Sequence, residues 1–236
     1  MKKLLLTGAV LASAFAGLAQ ANEYPQNPVV RPLTLNDGTI QAFAAVSHLK
    51  QHDDDNETKF NINAAYGLTD DWQIGFGGIT YSALKNESSG LEIALNAGFR
   101  GGFTNNAKEI GDSVGLGLSA FGKQIINDDF AVTFGAGYVH WNEDHIDNKS
   151  EFHYSIGAMA NVAKHVTLSA SYTFRDLKDF EQDSANVVSA GLNYAMTSDI
   201  DLGLNITYSD FEEMAGNKAF HEQAEQSASL YVAYRF

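Results

Sequence analysis

Residues 166–175 read VTLSASYTFR. Val166, Leu168, Ala170, Tyr172 and Phe174 fall on one parity, and Thr167, Ser169, Ser171, Thr173 and Arg175 on the other. Side chains of an extended chain alternate between two faces, so this is a strand with one apolar and one polar face. The dyad recurs in DLGLNITY (201–208), FNINAAYGL (60–68) and LEIALNAGF (91–99). In the last, Leu91, Ile93, Leu95, Ala97 and Phe99 oppose Glu92, Ala94, Asn96 and Gly98. Repeated period-two alternation predicts an all-β fold.

The polar parity decides what kind of all-β fold. A soluble sandwich turns its second face to bulk water, where charged residues are common. Here that face carries mostly Gly, Ser, Thr, Asn and Ala, which suits the water-lined lumen of a transmembrane barrel. The residues predicted to line it are Glu92, Asn96, Arg100, Ser169, Ser171, Arg175, Asn193, Asp201 and Asn205. Aromatics near strand ends (Tyr66, Trp72, Phe130, Tyr138, Trp141, Tyr172, Phe174, Tyr194 and Tyr208) suit two interfacial girdles.

The beginning of the chain fits that destination. Lys2 and Lys3 precede an apolar run from Leu4 to Leu18, and Ala19-Gln20-Ala21 offers small residues to a signal peptidase, so residues 1–21 read as a removable signal peptide. The run is short of the ~20 residues of a spanning helix. Its removal takes the formal charge from −14 to −16. Such acidity argues against nucleic acid as a partner. The sequence has no cysteine, which excludes a disulfide framework and thiolate metal sites. Residues 22–37 hold all three prolines and form an irregular leader; the barrel is expected over 38–236, with no proline in any ladder.

Connections fall into short ones (LTDDW, INDDF, AKHV, MTSDID), expected on the periplasmic side, and long acidic ones (KQHDDDNET, NEDHIDNKS, RDLKDFEQDS, DFEEMAGNKAFHEQAEQ), expected outside. Eleven strands can be named: 39–49, 58–67, 72–82, 91–101, 113–124, 130–141, 151–162, 166–175, 185–195, 200–210 and 226–236. Bacterial single-chain barrels have an even number. With short turns periplasmic, 91–101 and 113–124 would run the same way, so a further strand is expected between them, within RGGFTNNAKEI (100–110). Twelve antiparallel strands are the expectation, and ten the alternative.

The chain ends SASLYVAYRF (227–236), with Ala228, Leu230, Val232, Tyr234 and Phe236 on one face. The signal peptide, the dyad strands and this ending resemble a Gram-negative outer-membrane β-barrel protein of small porin-like type. In that family the last strand ends in Phe after alternating apolar residues and is read by the barrel-assembly machinery. The resemblance implies location in the cell outer membrane, among lipid and lipopolysaccharide. It also implies that Leu230, Val232, Tyr234 and Phe236 are an assembly signal that then faces lipid and pairs with the first strand.

Other chemistry is weaker. The glycine pairs Gly75/Gly77, Gly115/Gly117 and Gly135/Gly137 lie inside strands with no following helix, and read as space-makers rather than dinucleotide loops. His140, His145 and His153, with Glu143, Asp144 and Asp147, are weak metal-ligand candidates. DDDNE (53–57) lacks the layout of a calcium loop. An outer-membrane acyl hydrolase would need a serine such as Ser113 or Ser150 near His140. No cofactor is implied. The first functional expectation is a passive channel for small hydrophilic solutes, with modest cation preference from acidic loops. The second is a closed structural or adhesive barrel acting through those loops, for instance by bridging lipopolysaccharide through divalent cations.

Overall fold

A computed structural model describes residues 24–50, 56–100, 114–143, 146–180, 182–211 and 226–236. Twelve strands form there: β1 (Ile40–Lys50), β2 (Asn56–Gly67), β3 (Trp72–Gly75), β4 (Gly78–Asn86), β5 (Leu91–Arg100), β6 (Val114–Asn127), β7 (Phe130–Glu143), β8 (Ile146–Ala163), β9 (Val166–Lys178), β10 (Ser184–Ala195), β11 (Ile200–Ser209) and β12 (Gln226–Arg235). Each pairs antiparallel with its sequence neighbours, and β1 pairs with β12, so the sheet closes on itself. Closure leaves the sheet without a free end and is what lets a β-structure span lipid.

The extra strand lies elsewhere than expected. Residues 100–110 are not needed as a strand, because β5 and β6 pair directly, down to Arg100 opposite Gly115; 101–113 lie outside the described residues. Instead the segment anticipated as one strand, 72–82, is two. β3 rises four residues, turns at Phe76-Gly77 and returns as β4, with Gly75 opposite Gly78. The turn needs its glycines: Gly78 has φ +114°, and a Cβ on Gly78 or on the facing Gly98 would overlap the opposing backbone. The sequence carries the signal, since apolar parity runs Trp72, Ile74, Phe76 and then slips to Ile79, Tyr81. Because β3 is short, the edge of β2 from Asn56 to Asn63 pairs with β1 alone among the described strands.

The outer face carries the apolar parity. Ile62, Leu116, Leu118, Ile156, Ile206 and Leu230 are among its most exposed side chains, a belt that water would not tolerate and lipid covers. Trp72 packs against Tyr81 with ring centroids 4.6 Å apart and Tyr138 against Phe152 at 4.9 Å, on opposite ends of the outer face. Trp141 departs from the girdle expectation. It lies on the inward parity, 4% exposed, over Gly115, in a cluster with Val139, Leu177, Ala185 and Phe211. That cluster sits inside the wall at the long-loop end.

The ending also differs in one respect. Leu230 and Val232 are exposed on the outer face, but Phe236 is 8% exposed, stacked on Tyr234 at 5.5 Å. Its backbone exchanges hydrogen bonds with Ile40 at 2.8 and 2.9 Å. The last residue closes the seam between β12 and β1 rather than projecting into lipid.

Candidate functional site

Residues 24–39 form no strand, and they fold up into the barrel from the end that carries the short turns. Val29 is fully buried and Leu35 nearly so. The leader is tied around much of the ring. Gln26 donates to the Ala195 carbonyl at 2.8 Å, Asn27 to the Asp128 carbonyl at 2.6 Å, and Thr34 to the Asp70 carbonyl at 3.0 Å. Asn161 donates to Asn27 Oδ1 at 2.9 Å, and Leu35 N to Gln73 Oε1 at 3.0 Å. Lys123 of β6 donates to the carbonyls of Val29 and Arg31. The leader is therefore a floor across the lumen.

At the centre of the floor, one carboxylate serves two guanidinium groups. Arg31 forks onto Asp201 at 2.6 and 2.9 Å, and Arg235 Nη2 also donates to Asp201 Oδ2. All three side chains are under 10% exposed. Two further Arg31 donors reach the leader's own carbonyls of Pro25 and Gln26. Tyr24 lies beneath, its ring 4.8 Å from the Arg235 guanidinium and 5.7 Å from that of Arg31. Burial raises the Tyr24 phenol above its ordinary 10.0, outweighing the two arginines, which pull it down.

Above the floor is a cavity of about 310 Å³ lined by Arg31, Phe43, Ser169, Asn193, Tyr231 and Arg235, among others. Phe43 and Tyr231 stack at 5.3 Å inside the barrel, and the Tyr231 ring occupies space that only a glycine at 203 leaves. Tyr231 donates to Asn193 Oδ1 at 2.9 Å. Asn193 Nδ2 and Arg235 Nε are buried donors with no acceptor among the described residues. Leaving such a group unsatisfied costs ~1–3 kcal/mol.

Of the residues expected to line the lumen, Glu92, Asn96, Ser169, Ser171, Arg175, Asn193, Asp201 and Asn205 lie on the inward parity of their strands, set by the registers with Lys123, Thr80, Gly191, Gly157, His153, Gly203, Ala233 and Ser229. The side chain of Arg100 is outside the described residues. The ion pairs these residues form reach beyond the predicted set. Glu92 lies 3.6 Å from Lys123. Arg175 pairs with Glu151 across β8 and β9 and stacks over Phe211 at 4.7 Å. Lys149, 1% exposed, lies 5.1 Å from the Phe180 ring. Arg31, Lys123, Lys149, Glu151 and Arg235 were all missed. Parity marked the four in strands, but the leader's single cation gave no periodic signal.

The histidines do not converge. His140 stands opposite Ser150 and His153 opposite Gly137, so the two rings face opposite sides of the sheet, and His145 lies outside the described residues. No group of metal-ligating residues forms among those described. His140 and Ser150 share the outward parity, with no hydrogen bond between them among the described contacts; Ser113 is not described. The acyl-hydrolase constellation is therefore not assembled by the described residues.

Comparison with known proteins agrees with this architecture. The family model for the outer membrane protein beta-barrel domain matches residues 7–188. Among solved structures, an outer membrane channel from Pseudomonas putida F1 superposes with a TM-score of 0.59 at 11% identity, covering 93% of this chain and 100% of that one. The NanC porin gives 0.57 at 12%, covering 83% and 98%. The KdgM porin, solved with disordered oligogalacturonate, gives 0.55 at 8%, covering 84% and 99%. At these identities the likeness bears on the fold. Comparison with curated protein sequences finds no match.

Proposed function

Because this chain belongs to the outer membrane protein beta-barrel domain family and resides in the outer membrane of a Gram-negative bacterium, we propose that it is a porin-like channel for passive diffusion of small hydrophilic solutes. The observation that carries this reading is the midsection of the lumen. Asn61, Asn63 and Ser169 lie on the inward parity and remain exposed, so water reaches neutral polar side chains between the leader and the outer cluster. Short turns and both ends of the barrel chain are periplasmic, which puts the leader at the periplasmic mouth. Reconstitution in a planar bilayer tests the reading: discrete conductance steps are expected, and a folded barrel that never conducts refutes it.

Ion preference follows from two opposed fields. The long loops carry many carboxylates, including Asp53, Asp54, Asp55, Glu57, Glu212, Glu213, Glu222 and Glu225, and so favour cations at the outer mouth. Inward-facing groups oppose them. Among the buried charged side chains, Arg31, Lys123, Lys149, Arg175 and Arg235 outnumber Glu151 and Asp201, with Glu92 beside Lys123. We expect weak cation preference at low salt only.

One observation favours a second reading. The leader fills one end of the lumen, and the Trp141 cluster narrows the other. A barrel closed in this way would act through its acidic loops, as a structural or adhesive protein that bridges lipopolysaccharide through divalent cations. Absence of conductance both in the whole barrel and in one lacking residues 24–37 would favour it.

A further inference from the structure

The lumen floor has one positive charge too many. Arg31 and Arg235 share Asp201, which already accepts three hydrogen bonds, and these are the charged residues lining the cavity above. The neighbouring Lys123 and Glu92 offset each other at 3.6 Å. A buried net charge is costly unless an opposite charge reaches it. Two donors at the same cavity point to how it is reached. Arg235 Nε is unused, and Asn193 Nδ2 is fixed as a donor because Tyr231 has claimed the amide oxygen. Beside them the stacked Phe43 and Tyr231 rings form an aromatic side of the cavity. The cavity, about 310 Å³, is at the lower end of the range for small-molecule sites.

We propose that this cavity is a binding site for a small organic monoanion with a planar ring, of the aromatic carboxylate class, its carboxylate on Arg235 Nε and Asn193 Nδ2 and its ring on Phe43 and Tyr231. The carboxylate supplies both the missing charge and the missing acceptors, with two oxygens for two donors. A cation of the same shape would meet an uncompensated guanidinium. An inorganic anion would satisfy the charge and leave the aromatic wall unused. The site rests on the same water-filled interior as the channel reading, but not on conductance.

Equilibrium dialysis of the whole barrel, refolded in detergent, against benzoate, benzylamine, cyclohexanecarboxylate and acetate tests it. Saturable benzoate binding at one site per barrel is expected, with no saturable binding of benzylamine. Cyclohexanecarboxylate and acetate should bind at least about tenfold more weakly. Asn193→Leu, which keeps the volume and removes the donor, should weaken benzoate about tenfold, and Tyr231→Leu should abolish its advantage over cyclohexanecarboxylate. Absence of saturable benzoate binding by the wild-type barrel, or equal binding of benzylamine, overturns the proposal. Either wild-type result is decisive even if both variants fail to fold. A barrel that binds benzoate without conducting refutes the channel and keeps the site.

Discussion

Replacing Asp201 with alanine should release the leader while leaving the barrel closed. The side chain takes no part in strand pairing; the β11 register with β10 and β12 is made by backbone. Its loss strands the Arg31 and Arg235 guanidinium groups, each under 10% exposed, with no counter-charge. Removing one partner of a buried pair costs ~3–5 kcal/mol, roughly a hundred- to several-thousand-fold in an equilibrium constant. The leader keeps its bonds from Lys123 and Asn161 and to the turn carbonyls, so we take the lower bound and expect the undocked fraction to rise about 100-fold. The chain has no cysteine, so Val29→Cys gives a single thiol at a position with 0% exposure. Its labelling by a membrane-impermeant maleimide, when opening is fast, tracks the undocked fraction. A labelling rate about 100-fold higher in the Asp201→Ala background is expected, with Asp201→Asn intermediate because an amide oxygen still accepts. A rate unchanged within twofold would show that the charge cluster does not hold the leader.

Three further outcomes are expected. The folded protein should migrate differently on a detergent gel before and after boiling, because a sheet that closes β12 onto β1 resists surfactant; identical migration contradicts closure. Phe236→Glu should reduce assembly far more than Ser227→Glu, since the Phe236 side chain is buried at the seam against Tyr234 whereas Ser227 is half-buried on the inward face; equal yields of folded barrel would remove the last residue from any special role. Reversal potentials across a salt gradient should show weak cation preference that fades from 0.1 to 1 M as the Debye length falls from ~10 to ~3 Å. Anion preference at low salt would mean that the inward arginines and lysines set the field.

Alternation carried nearly the whole wall. Val166 to Phe174 and Leu202 to Tyr208 face outward in the structure as their parity requires, because lipid on one side and water on the other leave a strand no freedom to slip by one residue. It failed where a short-range rule gave way to a contact distant in sequence. The parity slip between Phe76 and Ile79 marks a break, but that the chain reverses there depends on Gly98 lying against Gly77 and Gly78. Trp141 looked like a girdle residue because its type and its place near a strand end were weighed above its parity, which Val139 shares. The leader was legible only as irregular. Its role depends on Arg31 meeting residues 170 and 204 positions away, and no local pattern encodes such a meeting.

The Tyr24 phenol offers a separate handle on the same floor, with its sign fixed by burial. Its pKa is raised in the docked leader above the ordinary 10.0 it recovers when the leader is free. The docked state therefore binds the phenolic proton more tightly. Docking is at full strength below pH 10 and weakens as pH rises from there through the raised value, where the docked phenol too must ionise. Ionisation would not rescue docking by pairing with the arginines, since desolvation outweighs both of their attractions in the raised pKa. Labelling of Val29→Cys should accordingly accelerate above pH 10, beyond the intrinsic pH dependence of the reagent measured on a free thiol. Tyr24→Phe, which keeps the ring under Arg31 and Arg235 and removes the ionisable oxygen, should abolish that acceleration. Its persistence in Tyr24→Phe would place the alkaline weakness in another group of the floor and remove the Tyr24 phenol as its cause.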